Sequence, residues 1–94
     1  MWQSVILGFF VGLFLGNGIP HFVRGITKER YPSMLGNSPV PNLIGGWLSF
    51  VVAGLLAQRV DMVHFHDVAL ISGAIGLLLI GLFHASVGAF GRSD

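Results

Sequence analysis

The chain has 94 residues, of which 53% are hydrophobic and only 10% are charged, and its formal net charge at pH 7 is +1. This length allows a single domain, and because a soluble domain usually has about 25% charged residues, the composition predicts a membrane protein. Five Lys and Arg residues are too few for a nucleic-acid interface, and the absence of cysteine excludes disulfides, thiolate metal sites and cysteine nucleophiles.

Three apolar stretches predict three transmembrane helices over about residues 2–23, 43–60 and 68–90. A helix rises 1.5 Å per residue and the hydrocarbon core is about 30 Å thick, so each stretch is close to the length required. The connections are a long loop over residues 24–42 and a short loop over residues 61–67. The first stretch has no basic segment before it and no small-residue cleavage site after it, so we expect a retained helix and not a signal peptide.

Basic residues predict the orientation of these helices. The first loop and the C-terminal segment together contain four of the five Lys and Arg residues. Because cytoplasmic loops are enriched in Lys and Arg, we expect the N-terminus outside and the C-terminus in the cytoplasm.

The second half of helix 1 contains polar residues that are costly in a bilayer. Pro20 and the glycines on either side of Asn17 predict a kink or an unwound turn. Asn17, His21 and Arg24 follow at helical spacing and form one polar stripe. One interpretation is a helix end in the headgroup layer, and the other is a buried polar site near the cytoplasmic face.

His84 in helix 3 favours the buried site, since the predicted topology places it in the same leaflet as His21. An ionisable residue inside a membrane is a functional candidate. The two imidazoles could share a proton, bind a metal ion or ligate a haem from another subunit. Each could equally donate a hydrogen bond to a backbone carbonyl, and two histidines alone do not close a metal site without Asn17 or outside ligands.

A second cluster, His64, His66 and Asp67, lies in the predicted outer loop. In extended backbone both rings would lie on one side, which allows a surface copper or zinc site. The alternative role for Asp67 is to cap the N-terminus of helix 3.

Small residues recur at helical spacing along all three helices and predict close packing. We expect a tight, glycine-rich bundle, with one glycine face available for another protein. The predicted packing residues are Gly8, Gly12, Gly16, Gly45, Ser49, Ala53, Gly73, Gly81 and Gly88.

The segment GNGIPHFVRGI at residues 16–26, together with Ser38-Pro39 and residues 42–47, resembles a group of small, uncharacterised bacterial membrane proteins with three helices. This resemblance implies an inner-membrane location and no particular activity.

No catalytic arrangement of residues and no phosphate-binding loop is recognisable in the sequence, so we expect that the protein is not an enzyme. The sequence identifies no cofactor. The favoured hypothesis is an accessory or structural subunit of a larger membrane complex, in contact with lipid and with other subunits. The alternative is a homo-oligomeric channel or transporter that moves a proton or metal ion past Asn17, His21 and His84. A membrane enzyme or cofactor-binding subunit with histidine ligands is a third hypothesis.

Overall fold

A computed structural model describes residues 1–86 and Gly88. Within these residues there are three helices, α1 (Trp2–Ile26), α2 (Pro39–Ala57) and α3 (Met62–Ser86). All three are long and apolar enough to cross a membrane. The structure therefore has the all-helical, multi-pass architecture that the composition predicts, because in lipid a helix satisfies its own backbone hydrogen bonds.

The helix boundaries differ from the predicted ones for local chemical reasons. Helix α2 begins four residues earlier, at Pro39, because proline already has the backbone angle of a first helical residue and needs no N–H partner there. Helix α3 begins at Met62, and its last regular residue is Ser86. Gly88 follows with a φ of +103° and donates its N–H to the Phe83 carbonyl, which is typical of a helix that ends in a left-handed glycine. Residues 87, 89 and 90, which the sequence assigns to helix 3, lie outside the described residues.

Asp61, and not Asp67, caps the start of α3. The carboxylate of Asp61 accepts a hydrogen bond from the backbone N–H of His64 at 3.1 Å. Asp67 lies inside the helix, just beyond a kink at Phe65. The N-cap predicted at Asp67 is wrong because the chain becomes helical about six residues earlier than its apolar pattern indicates.

The helices form an open layer and not a closed bundle. Helix α1 lies in the middle and packs against both α2 and α3, whereas in the described residues no Cα atom of α2 comes within 8 Å of one in α3. The Cα atoms extend over 45 × 24 × 18 Å, so the molecule is thin in one direction. The prediction of a tight bundle therefore holds for the two pairs that α1 makes, but not for the third pair.

Glycines on α1 allow α3 to approach it closely. A Cβ atom added at Gly8 would lie 2.7 Å from the Ala69 carbonyl oxygen, and one added at Gly12 would overlap the Gly73 carbonyl. Gly16 faces α3 in the same way, against the side chains of Ile80 and Leu77.

Helix α1 approaches α2 through a different set of small residues. A Cβ at Gly18 would lie 2.9 Å from the Gly46 carbonyl oxygen. Ser49 donates a hydrogen bond to the Phe14 carbonyl at 2.5 Å, and Ala53 is buried further along α2.

Three of the predicted packing glycines do not make close contacts. Gly45 has only ordinary van der Waals neighbours, at 3.6 Å or more, and Gly81 has nothing within 4 Å of an added Cβ. Gly88 lies beyond the helix and likewise has no neighbour within 4 Å among the described residues.

Candidate functional site

One polar cluster connects α1 to both of its neighbours: His21 of α1 contacts Asn42 of α2 on one side and His84 of α3 on the other. His21 is 7% exposed and Asn42 is fully buried. The imidazole rings of His21 and His84 lie in edge-to-face contact, with 5.7 Å between their centroids. We refer to these two residues as the histidine pair. The structure thus brings together the two intramembrane histidines that the sequence singles out.

Asn42 holds the His21 ring in one orientation and, when the ring is neutral, in one tautomer. The Nδ2 amide group of Asn42 donates to the backbone carbonyls of Tyr31 at 2.7 Å and Ser38 at 3.1 Å. This leaves the Oδ1 atom of Asn42 facing Nδ1 of His21 at 2.7 Å. Because an amide oxygen can only accept a hydrogen bond, Nδ1 of His21 is the protonated nitrogen, and in the neutral ring Nε2 carries the lone pair.

His84 is held in the same form by its own helix. Its Nδ1 donates to the carbonyl oxygen of Ile80, one turn earlier, at 2.8 Å. The other ring nitrogen, Nε2, is buried and has no hydrogen-bond partner in the described part of the chain. In the neutral form of both rings the lone pair is therefore on Nε2, and that of His84 has no partner among the described residues.

The first loop folds over the histidine pair. The Tyr31 ring lies against His21 with 5.3 Å between ring centroids, and the Arg24 guanidinium lies 5.1 Å from the centroid of the Tyr31 ring. The backbone N–H of Tyr31 donates to the Asn37 carbonyl at 3.0 Å, which closes the loop on itself. Arg24 itself is exposed and pairs with Glu29 at 3.4 Å. A series of edge-to-face ring contacts therefore connects His84, through His21 and Tyr31, to the Arg24 cation at the surface.

The two histidines line different cavities. His21 lines a cavity of about 340 Å³ together with Asn17 and loop residues such as Ser33. His84 lines a groove of about 680 Å³ between α1 and α3, where Pro20 and Leu77 are also found. The two rings of the histidine pair are thus in contact while each borders a different space.

The other residues of the predicted polar stripe have smaller roles. Asn17 is half-buried and lines the His21 cavity, but within the described residues its side chain makes no hydrogen bond. Helix α1 continues through Pro20 without the predicted unwound turn.

Asn42 and Tyr31 are the site residues that the sequence analysis missed. Asn42 was placed at the end of a loop because the helix was predicted to start one residue later. The signal that could have identified it is Ser38-Pro39, a favourable helix start, which places an amide in the first turn of an apolar helix. No sequence pattern indicates that the Tyr31 carbonyl is its partner.

The outer histidines form two separate pairs. His64 Nδ1 lies 3.0 Å from a carboxylate oxygen of Asp61, and His66 Nε2 lies 2.7 Å from one of Asp67. Among residues 1–86 and Gly88 there is no group of three or more His, Cys, Asp or Glu side chains placed to hold a metal ion. The structure therefore does not assemble the metal site predicted from His64, His66 and Asp67.

No protein-family model, curated protein or solved structure matches this chain.

Proposed function

We propose that the protein is a membrane channel or transporter that moves a cation, either a proton or a metal ion, through the histidine pair. The observation that carries this proposal is that His21 and His84 are in ring contact while each lines a different cavity. Imidazole can take up and release both a proton and a metal ion near neutral pH. A cation bound at one ring could therefore pass to the other.

A purely structural role accounts for only part of the arrangement. The Nδ1 atoms of both rings donate hydrogen bonds, as structural histidines do. That role does not account for the Nε2 of His84, which is buried and has no partner among the described residues, because leaving such a group unpaired is unfavourable by about 1–3 kcal/mol. A bound cation would satisfy it.

The proposal requires more than one copy of the chain. Within the described residues α2 and α3 each pack only on α1, so one chain does not enclose a path across the membrane. We propose a homo-oligomer in a bacterial inner membrane, with the first loop and the histidine pair on the cytoplasmic side, as the distribution of basic residues predicts.

Ion flux into liposomes that contain the purified protein tests this function. We expect His21→Ala and His84→Ala to abolish flux of protons or metal ions, and His64→Ala, a histidine in the outer loop, to leave it unchanged. Absence of flux with the wild-type protein, or equal flux with all three variants, would refute the proposal.

The second candidate is an accessory subunit of a larger membrane complex. Among the described residues, Gly54 of α2 and Gly81 of α3 have nothing within 4 Å of an added Cβ, so each outer helix of the layer has an open glycine. Small residues allow another helix to approach closely in lipid. Purification from the native membrane in a mild detergent would recover stoichiometric partners if this candidate is correct, and the chain alone if it is not.

A further inference from the structure

We infer that the cation moved by the protein is a proton, and that it reaches Nε2 of His21 through water in the cavity that His21 lines with the first loop. This inference rests on the proposed function and specifies both the ion and the side from which it enters the histidine pair. Three features support it: the polar lining of this cavity, the hydrogen bonding of the His21 ring, and the apolar surroundings of His84.

The cavity beside His21 is suited to water. Its volume is about 340 Å³, whereas one water molecule needs only about 10–15 Å³ of such space. Three of the side chains that line it are polar, Asn17, His21 and Ser33, and the last two are buried. The cavity is also partly open, so water can enter it.

The three polar side chains have hydrogen-bonding capacity left for water. The Ser33 hydroxyl accepts the backbone N–H of Leu35 at 3.2 Å, so its own O–H is available to donate. Within the described residues the Asn17 amide makes no hydrogen bond, and Nε2 of His21 has no partner either. A buried water molecule typically makes about three hydrogen bonds, which these three side chains can supply.

The His21 ring accepts a proton at one atom only. Its Nδ1 already carries a proton and donates it to Asn42, so an incoming proton binds the lone pair of Nε2. In this step an O–H bond of a protonated water molecule breaks and an N–H bond forms at Nε2. The ring gains one positive charge, while Nδ1 keeps its proton and its hydrogen bond to Asn42. Release of the proton reverses these two bond changes.

The groups around His21 favour a proton over a metal ion. His84 of α3 and Tyr31 of the first loop lie against the ring, with the Arg24 cation beyond Tyr31, and α2 has no ionisable residue. Glu29 of the first loop is exposed and pairs with Arg24. The described part of the chain has no group of three or more His, Cys, Asp or Glu side chains placed to hold a metal ion. A proton needs only one lone pair.

The groove on the other side of the histidine pair is not suited to water. It has a volume of about 680 Å³, and His84 is the one polar side chain among the residues that line it. A proton that crosses this groove would lose its hydration, which is unfavourable. The proton therefore enters the histidine pair at His21.

Proton flux into liposomes, followed with an internal pH dye, tests the route. The double variant Asn17→Leu/Ser33→Ala removes the polar lining and leaves His21 and Asn42 in place, so we expect it to lose proton flux. Ser38→Ala is the matched control, because Ser38 lies in the same loop but does not line the cavity, and it should keep the wild-type flux. Wild-type flux in the double variant would refute the route.

Nitrogen-15 NMR of the full-length protein, labelled at histidine and held in lipid nanodiscs, tests the site without transport. As the bulk pH falls, Nε2 of His21 should gain a proton while Nδ1 keeps its own. A cross-peak between this ring and water should be present in the wild type and lost in the double variant. Absence of the cross-peak in the wild type, or a neutral His21 ring with its proton on Nε2, would overturn the inference.

The inference and the proposed function can fail independently. Metal-ion flux that depends on the histidine pair, without proton flux, would leave the proposed function and remove this inference. Protonation of His21 from water without any flux would keep the proton-binding site and remove the transport function.

Discussion

Asn42 connects three parts of the molecule through one fully buried side chain. Its amide group satisfies the Tyr31 carbonyl in the first loop and the Ser38 carbonyl at the start of α2, and its oxygen orients His21 on α1. Because all three hydrogen bonds use the two ends of a single amide, no aliphatic side chain of similar size can replace it.

Replacement of this amide should therefore destabilise the protein. We expect Asn42→Ala to lower the free energy of unfolding, because each buried group left without a partner is unfavourable by about 1–3 kcal/mol. Thermal unfolding of the protein in detergent measures the change. Ser38→Ala is the control, since the Ser38 hydroxyl makes no capping hydrogen bond. Equal unfolding temperatures for the two variants would contradict the role of Asn42.

Asp61 lies outside the membrane-spanning segments and gives a prediction about how the stability of the start of α3 depends on pH. Hydrogen bonds from the backbone N–H and the side chain of His64 hold the pKa of the Asp61 carboxyl below its usual value of 3.8. A lowered folded-state pKa means that the carboxylate stabilises the start of α3 above pH 3.8, and that this contribution disappears as the pH falls through the folded-state pKa.

The amide resonance of His64 should therefore titrate in an NMR experiment with a midpoint below pH 3.8. We expect Asp61→Asn to abolish this titration, because the asparagine side chain does not ionise in this range. A midpoint at or above 3.8 would contradict the predicted hydrogen bonds.

The residue-scale features differ in how well the sequence predicts them. His21 and His84 are identifiable because an ionisable group in an apolar helix has few roles, and the structure places them together. Asp61 and Asn42 were missed because both depend on the residue at which a helix begins, and an apolar pattern locates that start only within a few residues.

At the scale of the helices, the spacing of small residues predicted the packing face of α1 but not the full face of α3. Gly8, Gly12 and Gly16 recur every fourth residue and all face α3. Gly81 lies on the same stripe of α3 as Gly73, yet no described residue comes within 4 Å of a Cβ added there. Periodicity defines a face of one helix, whereas the point at which two helices separate depends on both of them.

Gly12→Ala should disrupt the contact between α1 and α3, because the new methyl group would overlap the Gly73 carbonyl. We expect a loss of about 1–3 kcal/mol in the free energy of unfolding, the usual effect of overpacking. Unfolding in a denaturing detergent measures it. Gly81→Ala adds the same methyl group at a position with no neighbour within 4 Å in the described part of the chain, and it should leave this value unchanged or raise it. Equal destabilisation by both variants would contradict the close approach at Gly12.

At the scale of the whole molecule, three membrane-spanning helices followed from hydropathy alone, whereas their arrangement as an open layer did not. Hydropathy reports which segments enter lipid, but lipid is as apolar as the helices, so it does not determine which helices pack together. Which helices pack together is determined by the shapes of their surfaces. Helix α1 has small residues on two faces, towards α3 at Gly12 and towards α2 at Gly18, and so it occupies the middle.

If the proposed transport function is correct, the orientation of the layer decides from which side a cation would reach the histidine pair. The chain has no cysteine, so single cysteines can be introduced and labelled without interference. Lys28 in the first loop and Gln58 after α2 are both exposed and lie at opposite ends of α2. If the first loop is cytoplasmic, a membrane-impermeant thiol reagent added to intact cells should label Gln58→Cys but not Lys28→Cys, and both should react after the membrane is opened. Labelling of Lys28→Cys alone in intact cells would show the opposite orientation, with the His21 cavity on the outside. A cation coming from the cytoplasm would then reach the histidine pair from the other face of the membrane.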